Sequence, residues 1–444
     1  MNLLESTSKS LAQRVAEWEF HPEIYIYPTP RMYSPLVDFS FTDLELTKEL
    51  NVYVHVPFCR QFCTFCGYFK TMYDEALQEQ FVEAVIAEVR LRTPCLADKV
   101  VKTLHFGGGT PSLLTPEQLS RIVEALQAAN PGLLETCLEV SIEATPESVE
   151  GARFSGYRRA GINRVSMGVQ SLVDAEVRLA NRCLTSEKDA ATLLAEAIGA
   201  LREVGIADVV VDLMIGIEGQ TQASFIETLQ KTIALRPETV QLYALGVMPQ
   251  TALGRRRPAE LMPGREIYRC YELAREIFQA AGYRRDSHDR YTLHPVNGFL
   301  QGDFNIRGMS LVGLGAGARS YGSNFHVRNT YASLNGRKVL LEYISNVSSG
   351  RHSVESGVAL DRDERMRQYA IGHLLALDSR EFFSLFGLRV EEAFAEPLRQ
   401  MLELELAAWD ENILRLTERG LLFRDLLARS LFSQRTEERE REYR

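Results

Sequence analysis

The chain has 444 residues, of which 45% are hydrophobic and 25% charged, and its formal net charge is −9. This composition is typical of a globular protein with one large domain and a smaller one. The acidic pI of about 5.6 argues against a nucleic-acid-binding surface. No apolar run reaches the roughly 18 residues of a membrane span, and the N-terminus lacks the features of a signal peptide. We therefore expect a cytoplasmic protein with no membrane or nucleic-acid partner.

From residue 50 onward, short β-rich runs alternate with helical patterns. The predicted strands are 51–56, 100–106, 137–143, 163–169, 207–213 and 239–244. The predicted helices are 74–92, 115–129, 146–160, 174–180, 187–204, 221–235 and 263–281. Six strand–helix units predict an α/β fold with a parallel sheet that curls into all or part of a TIM-type barrel.

The alternation weakens after residue 245. A loop is expected at 255–258, and the glycine-rich stretch 311–318 predicts either a tight strand and turn or a close approach to a ligand. Helices are expected at 362–376, 381–386 and 390–410, and 416–423 resembles the end of a winged-helix-like module. The charged tail 436–444 predicts a solvated helix end. The predicted domains are an N-terminal extension (1–49), the barrel (50–320) and a mostly helical C-terminal domain (321–444).

Three cysteines, Cys59, Cys63 and Cys66, lie within eight residues with the spacing C-x3-C-x2-C. Three thiolates can hold three corners of a [4Fe–4S] cluster, whereas most such clusters have four cysteine ligands. The missing ligand leaves one iron open to a small molecule, as cleavage of S-adenosylmethionine (SAM) to a radical requires. A zinc site is the alternative, but no second ligand pair is present. Four distant cysteines are expected to be small core residues: Cys95, Cys137, Cys183 and Cys270.

Polar residues and glycines follow the predicted strands where each strand ends. The cysteines follow the first strand, glycines 107–109 follow the second, and Glu143 ends the third. Gln170 follows the fourth strand, and Asp212 ends the fifth. Because active sites of parallel α/β barrels lie at the carboxyl ends of the strands, the sequence predicts one functional rim.

Together these motifs resemble the HemN-like branch of radical SAM enzymes. The matching segments keep the family's order: 53–59, 105–112, 141–143, 164–171, 181–182, 212–216 and 313–317. The resemblance implies a partial (βα)6 barrel with a helical C-terminal domain. It also implies a [4Fe–4S] cluster on the three cysteines and two bound SAM molecules.

The resemblance further implies roles for individual residues. Glycines 107–109, including Gly108, would bind the amino and carboxylate ends of the first SAM, Glu143 its ammonium or ribose, and Tyr53 would touch it. Arg319 stands near its adenine, at a position that is apolar in coproporphyrinogen dehydrogenases. Seven positions match contacts of the second SAM: Phe65, Gly109, Thr110, Gln170, Arg182, Asp212 and Gly246. Glu143, Gln170 and Asp212 are the candidate catalytic residues.

The departures from the family pattern influence the functional hypothesis. Coproporphyrinogen dehydrogenases carry a further cysteine two residues after the third, where this chain has Tyr68. Haem-chaperone relatives usually have Asp where Gly67 stands, and haem-degrading relatives often have an Asn that is missing from 69–72. The sequence therefore favours a class C radical SAM methyltransferase or cyclopropanase.

In that mechanism the second SAM donates a methylene group to an sp2 carbon of a small, aromatic natural-product substrate. The alternatives are tetrapyrrole chemistry, either anaerobic haem degradation or coproporphyrinogen oxidation, and a haem chaperone without turnover. Candidate stacking residues are Tyr25, Tyr68, Phe69, Tyr243 and Tyr321. His288 is a weak candidate for a base. We also expect a monomer and an electron donor such as flavodoxin or ferredoxin.

Overall fold

The computed structural model describes residues 9–20, 26–37, 39–182, 188–256, 261–295, 298–332 and 335–442. Predictions about Tyr25, Cys183, the first residue of helix 187–204 and the end of loop 255–258 lie outside these ranges.

The six predicted strands are present and lie side by side. They are β1 (Glu49–Val56), β2 (Val100–Gly108), β3 (Glu139–Ala144), β4 (Arg164–Gln170), β5 (Asp208–Ile215) and β6 (Thr239–Ala244). The main following helices are α1 (Glu75–Leu96), α2 (Pro116–Ala129), α3 (Gly151–Arg159), α4 (Ala190–Glu203), α5 (Gln222–Leu235) and α6 (Gly264–Ala280). Each strand pairs in parallel with the next, so their carboxyl ends meet at one rim. The predicted α/β class is confirmed.

The sheet extends beyond the six strands in both directions. Ser310–Leu314, in the glycine-rich stretch, pairs in parallel with β1 and forms a seventh parallel strand. Antiparallel strands continue from it: Arg319–Tyr321, Phe325–Asn329, Val354–Ala359 and Ser34–Pro35. At the other edge, Arg290–Thr292 pairs with β6, and Arg284–Arg285 follows. The first and last strands of the sheet do not pair with each other, so the barrel is partial, as predicted.

A short helix, Leu300–Ile306, closes the amino-terminal end of the barrel. The Thr103 hydroxyl on β2 donates to Gln301 over 3.0 Å, and the Asn51 amide on β1 donates to Asn305 over 2.8 Å. The polar interior of the barrel is hydrogen-bonded there, as buried polar groups require. Ligands must therefore enter at the opposite, carboxyl-terminal rim.

A buried carboxylate, Glu88, fastens α1 to the accessory strands. It pairs with the Arg92 guanidinium at 3.0 Å and accepts hydrogen bonds from the Tyr343 hydroxyl at 2.7 Å and the Asn329 amide at 2.8 Å. It also accepts from the backbone N–H of Gly315, in the turn after the seventh parallel strand, at 2.8 Å. One charged side chain thus fixes three segments of the fold.

Replacing Glu88 by glutamine should therefore destabilise the protein strongly. The substitution leaves the buried Arg92 charge uncompensated, which costs about 3–5 kcal/mol. Thermal unfolding followed by circular dichroism should show a large fall in Tm. The matched control is Glu83→Gln, five residues earlier on the exposed side of α1, which should barely change Tm. Equal Tm values for the two variants would contradict this account.

The C-terminal segment corrects one prediction. A single helix at 390–410 is wrong, because the chain forms Val390–Ala393 and Ala395–Glu403 and then a strand, Ala407–Asp410. Glu405 has φ +54°, a left-handed conformation that ends the helix. The strand joins Ile413–Leu416 and Ala376–Asp378 in a three-stranded antiparallel sheet.

The helix predicted at 362–376 also ends early, at Gly372, and its last predicted residue starts a strand. A side chain at Gly372 would meet the carbonyl oxygen of Ile306, and the C-terminal segment approaches the barrel closely there. Helix Ser379–Phe386 matches the prediction for 381–386. The result is a mostly helical unit with a small sheet, as the winged-helix-like pattern predicted.

The charged tail forms a docked helix, Gln434–Glu442, and the prediction of a solvated helix end is wrong for these residues. Thr436 and Glu440 are buried. Glu440 pairs with the Arg31 guanidinium at 2.5 Å and accepts from the Thr29 hydroxyl at 2.6 Å. The two ends of the described chain therefore pack together.

No helix within the described ranges is long and apolar enough to cross a membrane. The limits of the three predicted domains stay a prediction. Buried apolar side chains form a large cluster inside the barrel sheet and its helices, and a second cluster in the C-terminal unit. Leu11 and Val15 of the N-terminal segment belong to that second cluster.

Candidate active site

The three clustered cysteines lie on a loop that leaves the rim after β1. Cys59 ends a two-residue strand, Phe58–Cys59, which pairs in parallel with Thr71–Met72 and closes the loop at its base. Within the loop, the N–H of Cys66 donates to the carbonyl of Cys63 over 3.3 Å. The middle of the loop is fastened to the neighbouring rim, where the N–H of Thr64 donates to the carbonyl of Ala180 over 3.0 Å. The backbone thus holds three thiols on one short loop.

The thiols influence one another electrostatically. Burial raises the pKa of Cys59 to about 12, the Thr110 hydroxyl 3.8 Å away lowers it, and the Cys66 and Cys63 thiols raise it. Burial also raises the pKa of Cys66, against the positive charge of Lys70. Raised pKa values mean that these thiols are protonated in the free protein. They would lose their protons on binding a metal, because the thiolate is the ligand form.

In the described residues, no three His, Cys, Asp or Glu side chains converge on a point that a single metal ion could occupy. A cubane cluster places each thiolate on a different iron, so its ligands need not meet at one point. Three thiols on one loop, of which Cys59 is buried and the other two are half-buried, suit such a cluster because they influence one another electrostatically.

Glu143, at the end of β3, is the central carboxylate of the rim. Its Oε2 accepts a hydrogen bond from the N–H of Gly108 over 2.9 Å, and its Oε1 lies 3.3 Å from Nε2 of His105. Burial raises the pKa of Glu143, but the bonds from His105 and Gly108 and the nearby His55 outweigh it, and the net pKa lies below the usual value. The side chain keeps 40% of its surface exposed. An ionised, accessible carboxylate there can bind a cation.

The glycines after β2 allow the chain to pass tightly between β1 and the cysteine loop. Gly108 has φ +117°, which favours glycine, and a side chain there would lie 2.7 Å from the His55 ring. A side chain at Gly109 would lie 2.7 Å from the carbonyl oxygen of Phe58. Thr110 follows, beside Cys59. The predicted ligand contacts of these residues stay a prediction, and the packing supplies a second reason for glycine.

Tyr53 on β1 faces the same space as Glu143. Its ring stacks on His105 with centroids 5.7 Å apart, and its hydroxyl lies 2.9 Å from Nδ1 of His55. Nε2 of His55 lies 3.0 Å from the carbonyl of Phe69 in the cysteine loop. These side chains connect the first strand of the barrel to the cysteine loop.

Gln170 and Arg182 come together beyond the end of β4. Gln170 has φ +65°, and its Oε1 is buried with no hydrogen-bond partner in the described part of the chain. Arg182 donates to the carbonyl of Gly168 and places Nη1 3.7 Å from Sγ of Cys63. A left-handed backbone at a non-glycine residue and an unsatisfied buried polar atom are both typical of ligand sites.

Asp212 lies within β5, three residues before the strand ends at Ile215 and not at its last residue as predicted, and it is electrostatically coupled to Glu143. Burial raises the pKa of Asp212 to about 7; the Ser166 hydroxyl, which donates over 2.8 Å, lowers it, and the Glu143 charge raises it. The nearby Arg164 and His105 side chains oppose the rise. The two carboxylates thus differ in protonation near neutral pH, because hydrogen bonds from His105 and Gly108 outweigh burial at Glu143, whereas the one from Ser166 does not outweigh it at Asp212.

The raised pKa of Asp212 predicts that the free protein loses stability as pH rises. The unfolded chain loses this proton near pH 3.8, whereas the folded chain keeps it until about pH 7. The folded state therefore binds more protons between these values, and the free energy of unfolding falls as pH rises through that window. Asp212→Asn removes this effect, so its free energy of unfolding relative to the unaltered protein should rise by about 2–3 kcal/mol between pH 5 and pH 8, and the difference in Tm should widen accordingly.

Thermal melts of the ligand-free variants at the two pH values test this expectation. Asp98→Asn, at an exposed aspartate, is the control and should show no such widening. A pH-independent difference for Asp212→Asn would mean that Asp212 is ionised throughout.

The other predicted residues are placed as follows. Phe65 packs against an apolar group that includes Met214 and Leu245, and Gly246 directly follows Leu245 past the end of β6. Arg319 lies on the first accessory antiparallel strand, within electrostatic range of Tyr53. The structure brings all predicted ligand positions to one rim or its edge, and their roles stay a prediction.

The candidate stacking residues and the candidate base lie in different surroundings. Phe69 is buried between His55 and Tyr331, with ring distances of 6.0 Å to each, and is a core residue. Tyr68 is 57% exposed on the cysteine loop. His288 lies 3.4 Å from Asp425 of the C-terminal unit, which assigns it an interdomain contact.

The sequence analysis missed the inward-facing partners on the strands. His55 and His105 each stand two residues from a predicted site residue on the same strand, Tyr53 and Gly107, and Ser166 stands four residues before Gln170. Because strand side chains alternate, residues i and i+2 share one face. This alternation along each strand could have identified these three residues from the sequence.

A cysteine loop and a glycine-rich strand end at the rim of a partial (βα)6 barrel define a protein built to bind an iron–sulfur cluster and a small cationic ligand. The profile of the Radical SAM superfamily matches residues 53–232. The chain is 29% identical to oxygen-independent coproporphyrinogen III oxidase of Salmonella typhimurium, over 84% of the chain and 82% of the relative. It is 30% identical to the heme chaperone HemW of Escherichia coli, over 61% of the chain and 69% of the relative.

Among solved structures, coproporphyrinogen III oxidase (HemN) from Escherichia coli superposes with a TM-score of 0.77 and 26% identity. The match covers 92% of this chain and 96% of the other. The chain therefore belongs to the HemN-like family of radical SAM proteins. Its cofactors are a [4Fe–4S] cluster and SAM.

Proposed function

We propose that the protein is an oxygen-independent oxidase of a carboxylate-bearing tetrapyrrole, with coproporphyrinogen III as the first candidate. The observation that carries this proposal is the near full-length similarity to coproporphyrinogen III oxidases, which includes the C-terminal unit as well as the barrel. The methylene transfer that the sequence favoured has no such support from these comparisons. Methylene transfer therefore becomes the second candidate, favoured by Tyr68 at the position where coproporphyrinogen dehydrogenases carry a further cysteine.

The proposed reaction converts a propionate side chain into a vinyl group. One hydrogen atom leaves the side-chain carbon that is attached to the ring, carbon dioxide leaves the next carbon of the chain, and one electron passes to an external one-electron acceptor, so that a double bond forms between the two carbons. When bound, the cluster and SAM supply the 5′-deoxyadenosyl radical that takes the hydrogen atom. The protein's own contribution is to position the reactants and to keep water out.

Individual rim residues support this role. Glu143 is ionised and accessible, so it can hold the SAM ammonium by charge-assisted hydrogen bonds. Gln170 offers an unsatisfied carbonyl oxygen, and Arg182 offers positive charge beside Cys63. Asp212 can balance a second sulfonium once it is ionised. A second SAM, an electron donor such as flavodoxin, a monomeric state and a cytoplasmic location belong to this proposal.

One anaerobic assay distinguishes the candidates. The cluster is reconstituted, SAM, a reductant and coproporphyrinogen III are added, and products are followed by mass spectrometry. The oxidase proposal expects 5′-deoxyadenosine together with decarboxylated tetrapyrrole and without S-adenosylhomocysteine. S-adenosylhomocysteine with an added carbon would support methylene transfer instead.

The HemW similarity makes the haem chaperone a third outcome of the same assay. Tight haem binding without coupled 5′-deoxyadenosine formation would contradict both enzymatic proposals. A parallel preparation of Cys63→Ala controls for reactions of the reductant alone.

A further inference from the structure

Two arginines face each other beside the candidate active site. Arg319 and Arg328 are direct register partners on neighbouring antiparallel strands, so their side chains emerge on the same face of the sheet. The next pair on that face, Tyr321 and His326, has ring centroids 4.6 Å apart. Like charges placed directly opposite each other destabilise a sheet.

No acidic group neutralises this pair within the described residues. Neither guanidinium forms a salt bridge with a described carboxylate. Nη2 of Arg328 donates to the Ser356 hydroxyl over 3.3 Å, whereas its Nε is buried without a hydrogen-bond partner in the described residues. Glu355 raises the pKa of Arg328 through space and does not form a salt bridge with it. The Glu355 carboxylate instead accepts a hydrogen bond from the N–H of Tyr331 over 2.7 Å. Both arginines are half-buried, and charges withdrawn from water without counter-ions are costly unless a ligand supplies the opposite charge.

The surroundings form a cage of aromatic rings with one further unsatisfied group. Arg328 lies over the rings of Tyr331 and Tyr33, at 4.0 and 5.8 Å from their centroids. The Tyr33 hydroxyl is buried without a hydrogen-bond partner in the described residues. His326 is neutral because burial and Arg319 lower its pKa to about 3, so it adds no competing charge.

This cage borders the rim. Burial lowers the pKa of Arg319, but the phenols of Tyr321, Tyr33 and Tyr68 outweigh it and hold the pKa above its usual value. Tyr68 belongs to the cysteine loop, and Arg319 also influences the pKa of Tyr53 and His55 at the Glu143 site. A side chain at Gly313 would meet the carbonyl oxygen of Arg319, and Gly313 is the register partner of Tyr53 on β1. The cage therefore lies two strands from β1, at the edge of the candidate active site.

We propose that Arg319, Arg328 and the Tyr33 hydroxyl form a subsite for a carboxylate of the substrate. The subsite rests on the proposed function, because coproporphyrinogen carries four propionates and only one reacts at a time. Two guanidiniums and a phenol suit a planar carboxylate, which accepts up to four hydrogen bonds. The carboxylate of SAM is the other possible source, but the glycine run beside the cysteines already offers it backbone donors.

Binding of coproporphyrin III and of its tetramethyl ester to the purified protein tests the subsite, with absorbance titration as the measurement. The unaltered protein should prefer the free acid. Arg319→Met and Arg328→Met should each lower that preference roughly tenfold to a hundredfold, because the bound carboxylate of the substrate loses one of its two charged partners. Arg351→Met, at an exposed arginine that contacts Asn346, should keep it, and Arg328→Lys should retain part of it.

An unchanged preference in both methionine variants, whose folding is checked by circular dichroism, would overturn the subsite and leave the proposed function standing. A fall in SAM affinity with an unchanged preference would overturn it too, by assigning the arginines to SAM. If the unaltered protein binds no porphyrin, the proposed function fails and propionate becomes the probe. Propionate should then raise the Tm of the unaltered protein and leave the Tm of Arg328→Met unchanged. Propionamide, which carries no charge, should have no effect on either protein. If propionate does not raise the Tm of the unaltered protein, the subsite is overturned.

Discussion

Cys63→Ala should abolish the SAM-dependent radical reaction while leaving the protein folded. Cys63 is half-buried on the cysteine loop, whereas Cys59 is buried and its loss would leave a cavity. With two thiolates left, the loop cannot hold the cluster firmly enough to present an open iron to SAM. The expected result is iron content well below that of the unaltered protein, 5′-deoxyadenosine at the level of the protein-free control, and no SAM-responsive [4Fe–4S] signal in electron paramagnetic resonance.

The control for this prediction is Cys95→Ala. Cys95 is also half-buried and lies on α1, so its replacement removes a thiol of similar burial outside the cysteine loop. This variant should keep the cluster and the reaction. A SAM-responsive signal in Cys63→Ala would show that another residue supplies the third ligand, and the cluster assignment would be wrong.

The barrel could be predicted from the sequence because its signals are local. Buried parallel strands have continuous apolar runs, and the helices between them begin with clear caps such as Thr115 followed by Pro116. The predicted strand limits differ from the observed ones by at most two residues at each end. In a parallel sheet, residues near the carboxyl ends of the strands lie at one rim. For this reason Glu143, Gln170 and Asp212 were predicted to lie close together.

The rest of the fold depends on long-range contacts that no short window contains. The seventh strand, Ser310–Leu314, is defined by its pairing with β1, some 260 positions earlier. The tail helix docks because Glu440 meets Arg31 at the other end of the chain. In segment 390–410, the helical apolar period continues into residues that pair with Ile413–Leu416 instead. Propensity favoured a helix there, and tertiary pairing prevailed.

The candidate site likewise combines residues that the local sequence predicts with residues that only long-range contacts bring together. Residues at strand ends could be found by motif, whereas the arginine cage could not, because Arg319 and Arg328 become neighbours only through a hairpin. The resemblance drew attention to Arg319 as a departure from the family pattern. Its partner Arg328 and the unsatisfied Tyr33 hydroxyl give that departure a chemical meaning.

Glu143→Gln should weaken SAM binding because it removes charge and preserves shape. The amide oxygen of glutamine can still accept from the N–H of Gly108, so the glycine run should keep its conformation. The SAM ammonium, however, loses an anionic partner, and a hydrogen bond to a charged group is worth about 1.5–3 kcal/mol. We expect the Kd for SAM to rise roughly tenfold to a hundredfold, measured by equilibrium binding to the reconstituted protein. The rate of 5′-deoxyadenosine formation should fall with it at low SAM concentration.

The control for Glu143→Gln is Glu147→Gln, in the turn Pro146–Ser148 directly after β3. It removes the same charge from the same connection without a contact to Gly108, so SAM affinity should not change. Saturating SAM offers a second comparison, because a residue that only binds the ammonium should let activity recover as the site fills. Activity that stays low at saturation, with unchanged Kd, would contradict the binding role and would indicate that Glu143 acts on the reacting atoms instead.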